Sequence, residues 1–224
     1  MNDQAGSPPN YEFRKSLKDV HRYPVPEALR VERYLTRPLA SLIVRSVYRS
    51  RIMPDHLTWA SFVVGLSAAA AFLGGSQAYF VAGGILALLS SIFDCADGML
   101  ARARNQCTER GAFMDLMLDR IIDFIVLGAM AIGTYRFLGS TAVLIAALLA
   151  MALLSLQSTL YYLLLIYLRD TRMGRQAEVR GLYVVVVTML SILNRPHYFF
   201  YLLIGLSLIG IFCQVGLFFR APRR

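Results

Sequence analysis

Residues 94–119 read DCADGMLARARNQCTERGAFMDLMLD, and the reading of this stretch decides the fold. It holds five of the chain's 14 acidic residues, Asp94, Asp97, Glu109, Asp115 and Asp119, and Asp123 follows one helical turn later. Long apolar runs flank it on both sides. On a soluble surface such a cluster is unremarkable. Between two greasy segments it is costly to keep and points to function.

The surroundings are those of a membrane protein. The 224 residues are 57% hydrophobic, with a mean hydropathy of +0.53, above the usual range of soluble domains. Apolar segments fall at residues 57–74, 79–100, 111–135, 140–168, 181–193 and 198–219, the fifth of them short. The expected fold is an all-α integral membrane protein in which six transmembrane helices form a catalytic domain over residues 54–220. A polar, proline-bearing arm over residues 1–26 precedes it, and residues 27–50 read as a juxtamembrane amphipathic helix that Pro38 breaks or kinks. On a helical wheel Leu35, Leu39, Leu42, Ile43 and Val47 share one side, and Arg30, Arg33, Arg37 and Arg45 fall on the other. That pattern suits a helix lying in the bilayer interface; a helix packed on a partner domain is the alternative. No apolar h-region precedes Leu57, so no cleaved secretory signal is expected.

The net charge is +9. In this context it reads as contact with anionic headgroups and phosphorylated substrates, not with nucleic acid. Six spans place both termini and the 2–3 and 4–5 loops on one side. Every basic residue except Arg120, Arg136 and Arg195 then lies on that side, which identifies it as cytoplasmic and the membrane as the cytoplasmic membrane. The three cysteines, Cys95, Cys107 and Cys213, show neither CxxC nor zinc spacing and read as reduced.

Asp94 and Asp97 are spaced i, i+3 at the end of the second segment, and Asp115 and Asp119 are spaced i, i+4 at the start of the third. Each pair occupies one helix face. A short loop over residues 101–110 folds the third segment back on the second, so the pairs face each other across a low-dielectric gap. Four such carboxylates cannot all stay ionised alone, and one or two divalent cations relieve the repulsion. An all-oxygen donor set favours Mg²⁺, Mn²⁺ or Ca²⁺ over zinc, and Mg²⁺ commonly shares its shell with substrate phosphates. Gly98, Gly111 and Ala101 leave room for a ligand near the backbone, and Arg102 stands where it can grip a phosphate. Pairing of these acids with Arg102, Arg104, Arg110 and Arg120 purely for folding is the bland reading. It suits Asp123, three residues from Arg120, and Glu109 reads as solvated loop.

The pattern D-x-x-D-G-x-x-A-R, eight variable residues, G-x-x-x-D-x-x-x-D is met at every fixed position by Asp94, Asp97, Gly98, Ala101, Arg102, Gly111, Asp115 and Asp119. In this the chain resembles the CDP-alcohol phosphotransferase family, over nearly its whole length after the arm. The resemblance implies transfer of a substituted phosphate from a CDP-linked alcohol to an acceptor alcohol, with release of CMP. It implies Mg²⁺ or Mn²⁺ on Asp94, Asp97 and Asp115, with Asp119 contributing to a second metal and serving as general base. It further implies a CDP pocket lined by Gly98, Ala101, Arg102 and Gly111 together with Asp94, and a homodimer. The family's P-N-x-x-T at the start of the first span reads PDHLT here, Pro54 to Thr58; Thr58 is expected near the nucleotide, and Asp55 replaces the asparagine as a helix cap or nucleotide contact.

Acceptor choice is sought in the 4–5 loop, whose Arg169, Arg172, Arg175 and Arg180 are either a grip for a phosphorylated acceptor or ordinary positive-inside charge. The arm and the start of the first span also resemble the family branch that makes inositol phosphodiesters. A cation-coupled transporter with the aspartates as its ion site is the reading from another class; such proteins favour internal repeats, and none is evident.

Overall fold

A computed structural model describes residues 35–168 and 180–220, and among these residues the chain is all-helical with seven α-helices. They are α1 (Arg37–Val47), α2 (Pro54–Leu73), α3 (Gln77–Ala103), α4 (Glu109–Leu138), α5 (Thr141–Leu168), α6 (Arg180–Ile192) and α7 (His197–Arg220). The expected segments recur as α2 to α7, with ends that move by a few residues. The polar arm and the first part of the amphipathic segment lie outside the described residues, as do Arg169, Arg172 and Arg175.

Among the described residues four helices are long and apolar enough to cross a membrane: Pro54–Leu73, Gln77–Ala103, Thr141–Tyr161 within α5, and His197–Gly216 within α7. The chain is an integral membrane protein. The two other expected spans differ in kind. Helix α4 has 30 residues, but Asp115, Asp119, Arg120 and Asp123 interrupt its apolar character. The described part of helix α6 has 13 residues, and the apolar run it carries spans about 20 Å at 1.5 Å per residue, short of a hydrocarbon core of about 30 Å.

The helix ends follow local chemistry. Pro54 sits in the first turn of α2, where a missing N–H costs nothing. Met53 is the N-cap there, and its N–H donates to His56 Nδ1 at 3.1 Å. Asp55 is therefore not the cap; it lies inside the first turn, where a negative charge suits the helix dipole. Helix α3 ends in a Schellman arrangement. Asn105 adopts φ 55°, its N–H donates to the Arg102 carbonyl at 3.2 Å, and the Gln106 N–H donates to the Ala101 carbonyl at 2.8 Å. Asn194 ends α6 in the same way, with φ 57° and the Arg195 N–H on the Leu190 carbonyl at 2.9 Å.

Helices α2, α3 and α4 form the centre. Helix α2 packs along α3 and α4, while α6 and α1 lie against α3 and α5 packs on α7 and α4. One core joins Phe72, Phe80, Met130, Phe199 and Phe200 at one end of the bundle; a second joins Ala40 and Val44 of α1 to Leu57, Ile92, Ala96 and Leu100. Small residues set the closest approaches, as expected where helices meet in lipid. A Cβ at Gly133 would lie 1.9 Å from the Phe72 carbonyl oxygen. Arg136, a turn later, donates through Nη1 to the Leu73 carbonyl at 2.8 Å and closes the C-terminal end of α2.

Helix α1 presents Arg37, Ala40, Ser41 and Val44 to the bundle and leaves Leu39 and Leu42 exposed, as is Leu35 just before it. Arg37, expected on the outward polar face, is only 7% exposed. Helix α1 packs on α3 through its small residues, and this turns Arg37 inward with them. Pro38 falls in the first turn of α1, and most of the expected helix that precedes it lies outside the described residues.

Gly133→Val should drive α4 off the Phe72 carbonyl. Overpacking of this kind costs about 1–3 kcal/mol. It should appear as a lowered unfolding temperature in detergent-purified protein, whereas Gly128→Ala, mid-helix and with nothing within 4 Å of an added Cβ, should not lower that temperature.

Candidate metal centre

Thr108 begins α4. Its side chain accepts the Gly111 N–H at 3.0 Å, an N-cap that orients the first turns of the helix. Only residues 104–108 separate α3 from α4, so the chain turns back, and both helices pack against α2. This hairpin brings Asp94 and Asp97 of α3 opposite Asp115 of α4. Each offers a carboxylate oxygen, and the three oxygens lie within 4.8 Å of one another. Asp119 lies one turn further along α4, about 6 Å at 1.5 Å per residue, outside the converging trio. Its charge, like that of Asp115, still acts on Asp97.

Asp97 is 5% exposed. The Thr58 hydroxyl donates to Asp97 Oδ2 at 2.6 Å, a buried bond between α2 and α3. Thr58, expected near the nucleotide, thus touches the acidic trio first. Just below it, Ser61 and Ser90 donate to each other's carbonyls at 3.0 and 2.9 Å and tie the same helices together. At 4.8 Å each charged pair repels by on the order of 3 kcal/mol at an effective dielectric of 20. Three converging oxygens with no nitrogen or sulfur among them are a donor set for a hard divalent cation. The trio fits such an ion.

Gly98 follows Asp97. A Cβ there would meet the Arg102 guanidinium at 3.2 Å, so the bare backbone lets Arg102 fold over α3 beside the acids. Glu109 is exposed at the first turn of α4, where its charge suits the helix N-terminus. Arg120 Nη1 lies 3.9 Å from Asp123 Oδ2, the pairing expected from their spacing. The same nitrogen donates to Ser158 Oγ of α5 at 3.4 Å. Arg120, Asp123, Ser155 and Ser158 help line a cavity of about 300 Å³ between α4 and α5. Of the loop arginines, Arg180 opens α6, and the other three lie outside the described residues.

One functional-looking residue escaped the sequence. Arg104, counted there as topological charge, donates to the carbonyls of Val47, Tyr48, Ser50 and Ile52. Thr108 was legible in principle, as a threonine three residues before a helical glycine. Nothing in the local pattern marks Arg104.

Residues 51–217 match the family model described as CDP-alcohol phosphatidyltransferase. The chain is 33% identical over 103 residues to the bifunctional IPC transferase and DIPP synthase of Archaeoglobus fulgidus, covering 46% of this chain and 20% of that protein. It is 32% identical over 117 residues to the phosphatidylinositol phosphate synthase of Mycobacteroides abscessus, covering 52% of this chain and 50% of that protein. The matches therefore span half or less of these relatives' length. Among solved structures, the fold is similar to that of Mycobacterium tuberculosis phosphatidylinositol phosphate synthase with CDP-DAG bound. The TM-score is 0.57 at 20% identity, covering 81% of this chain and 92% of that one.

Thr58→Val should leave the buried Asp97 oxygen without its donor, at a cost of about 1–3 kcal/mol. Thermal unfolding of the cation-free protein should report the loss, and saturating Mn²⁺ should recover part of it, because a cation compensates the same oxygen.

Proposed function

The chain belongs to the CDP-alcohol phosphatidyltransferase family, and from that premise we propose that it transfers a substituted phosphate from a CDP-linked alcohol to an acceptor alcohol, releasing CMP. The observation that carries this reading is the convergence of Asp94, Asp97 and Asp115 beside Gly98 and Arg102. The trio would hold one or two Mg²⁺ or Mn²⁺ ions. When bound, the metal neutralises the diphosphate and polarises the attacked phosphorus.

The chain's own residues do the rest. Thr58 holds Asp97 in one orientation through the 2.6 Å bond. Arg102 lies over Gly98 and supplies a planar fork for a phosphate oxygen. Gly98, Ala101 and Gly111 keep the wall low enough for the nucleotide. Asp119, one turn beyond the trio on α4, takes the proton from the acceptor hydroxyl. The acceptor oxygen bonds to the phosphorus that carries the donor alcohol. The bond from that phosphorus to the CMP oxygen breaks, and CMP leaves with the electron pair.

For the acceptor we favour a phosphorylated inositol-type alcohol. The support is the names of relatives, phosphatidylinositol phosphate synthase and archaetidylinositol phosphate synthase among them. Arg169, Arg172, Arg175 and Arg180 would meet its phosphate. The charge distribution supports six crossings, with both termini and the acidic site on the cytoplasmic side of the cytoplasmic membrane. The exposed leucines of α1 support an interfacial position for that helix. A homodimer follows from the family resemblance alone.

Purified protein given Mg²⁺ or Mn²⁺, radiolabelled CMP and a lipid phosphodiester should run the transfer in reverse, carrying the label into a CDP-linked alcohol and releasing the acceptor alcohol. Asp94→Asn should slow this by about 10²-fold or more, the scale for loss of a preorganised charge-stabilising group. Label transfer that survives Asp94→Asn, or cation uptake into liposomes without any CMP chemistry, overturns the transferase reading.

A further inference from the structure

Residues 48–53 join α1 to α2 outside a helix; Ser50 meets the Val47 carbonyl through its N–H at 2.9 Å and its hydroxyl at 2.7 Å, and the carbonyls that follow turn to a distant donor. Arg104 is that donor. Its Nη2 donates to the carbonyls of Val47 at 2.7 Å, Tyr48 at 2.7 Å and Ser50 at 3.0 Å; its Nε donates to Tyr48 at 3.1 Å and its Nη1 to Ile52 at 2.5 Å. The guanidinium carbon also stands 5.6 Å from the centre of the Tyr48 ring. Tyr48 answers with its hydroxyl, which donates to the Ala103 carbonyl at 3.2 Å. The backbone of Arg104 is itself fixed, because it is the C-cap of α3 and its N–H donates to the Leu100 carbonyl at 3.0 Å.

This clamp and the metal centre are joined through the same two elements. From Ile52 the chain passes through Pro54 into α2 and reaches Thr58, which donates to Asp97. From Asp97, two turns of α3 lead back to Arg104. The segment 52–58 is thus pinned to α3 at both ends, by Arg104 at one and by the Thr58–Asp97 bond at the other. Arg102 emerges from α3 between the two pins and folds toward the Gly98 side. The segment reaches the acidic trio at its inner end, where Thr58 meets Asp97.

We infer that Arg104 is a positioning residue for the nucleotide. It holds segment 52–58 at the spacing from α3 that admits the cytidine diphosphate of the donor. The inference rests on the proposed CDP-dependent reaction. Arg104 touches neither metal nor substrate in this role. It acts through backbone carbonyls, and it needs the rigid fork of a guanidinium, because a lysine ammonium cannot hold five donations across four carbonyls. Since Thr58 and the acids remain in place without the clamp, cation binding should survive its loss while nucleotide binding weakens.

The test uses the full chain in detergent or nanodiscs. The probes are Mn²⁺ alone, then CDP in the presence of Mn²⁺, with equilibrium binding as the readout. For Arg104→Lys, CDP affinity should fall about tenfold, the scale of an outer-shell support, while Mn²⁺ affinity changes less than twofold. Tyr48→Phe, which removes only the return bond to Ala103, should weaken CDP in the same direction by a smaller factor and serves if Arg104→Lys fails to fold. Unchanged CDP affinity in a folded variant overturns the positioning role. So does a parallel loss of Mn²⁺ affinity, which marks a general loosening of the bundle. If the unaltered protein binds Mn²⁺ but not CDP, the reading of the site as a nucleotide site falls instead.

Discussion

Three carboxylates whose oxygens lie within 4.8 Å repel one another, and the bundle must hold them together. Helices α3 and α4 would relieve the strain by separating at their loop end. Several contacts oppose that movement. The Thr108 cap fixes the start of α4, and the loop between the helices is too short to splay. Helix α2 lies against both helices, donating from Thr58 to Asp97 and locked to α3 again by the paired Ser61 and Ser90 bonds. At the far end the bundle closes on Phe72, Phe80 and Met130, with Gly133 pressed on the α2 backbone. The acidic end is thus strained and polar, and the opposite end is dense and apolar. Stability at one end holds the electrostatics at the other.

Arginines complete the frame at helix C-termini, where orphan carbonyls and the negative end of the dipole suit a cation. Arg136 does this for α2 and Arg104 for α1. In a bilayer an unmet carbonyl costs more than in water, so these bonds matter beyond their number.

Much of the site was legible because a helix turns spacing into geometry. Asp94 and Asp97, then Asp115 and Asp119, were each readable as one face, and the loop length brought the faces together. Spacing alone treats the four acids as equals; the structure brings carboxylate oxygens of Asp94, Asp97 and Asp115 within 4.8 Å of one another, with Asp119 one turn further along α4. Helix ends were less legible. Asp55 looked like a cap, but His56 met the Met53 N–H. Arg37 looked outward, because a wheel ranks polarity and does not know which face a neighbour's small residues will accept. Arg104 and Arg136 were read as topological charge, since their partners are backbone carbonyls more than 50 residues away and no local pattern announces a carbonyl. The membrane crossings of α4 and α6 were read from apolar runs, and the charges of one and the shortness of the other set them apart from the four clear spans.

The short apolar run carried by α6 has a consequence for depth. Thr188 donates to the Gly84 carbonyl, while Tyr183, Val184 and Val187 share a small cavity with Ala87, Ser90 and Ser91. The two helices therefore run antiparallel, and Arg180 comes level with Ile92, just short of Asp94. On this flank the apolar run of the sequence begins only after Arg180, at the level where the carboxylates begin. A bilayer meeting such a flank thins or lets its headgroups sink to that level. The water line would then reach the acids without a channel being cut through the bundle. On the proposed reading, a lipid-borne diphosphate could meet them while its chains stay at their ordinary depth.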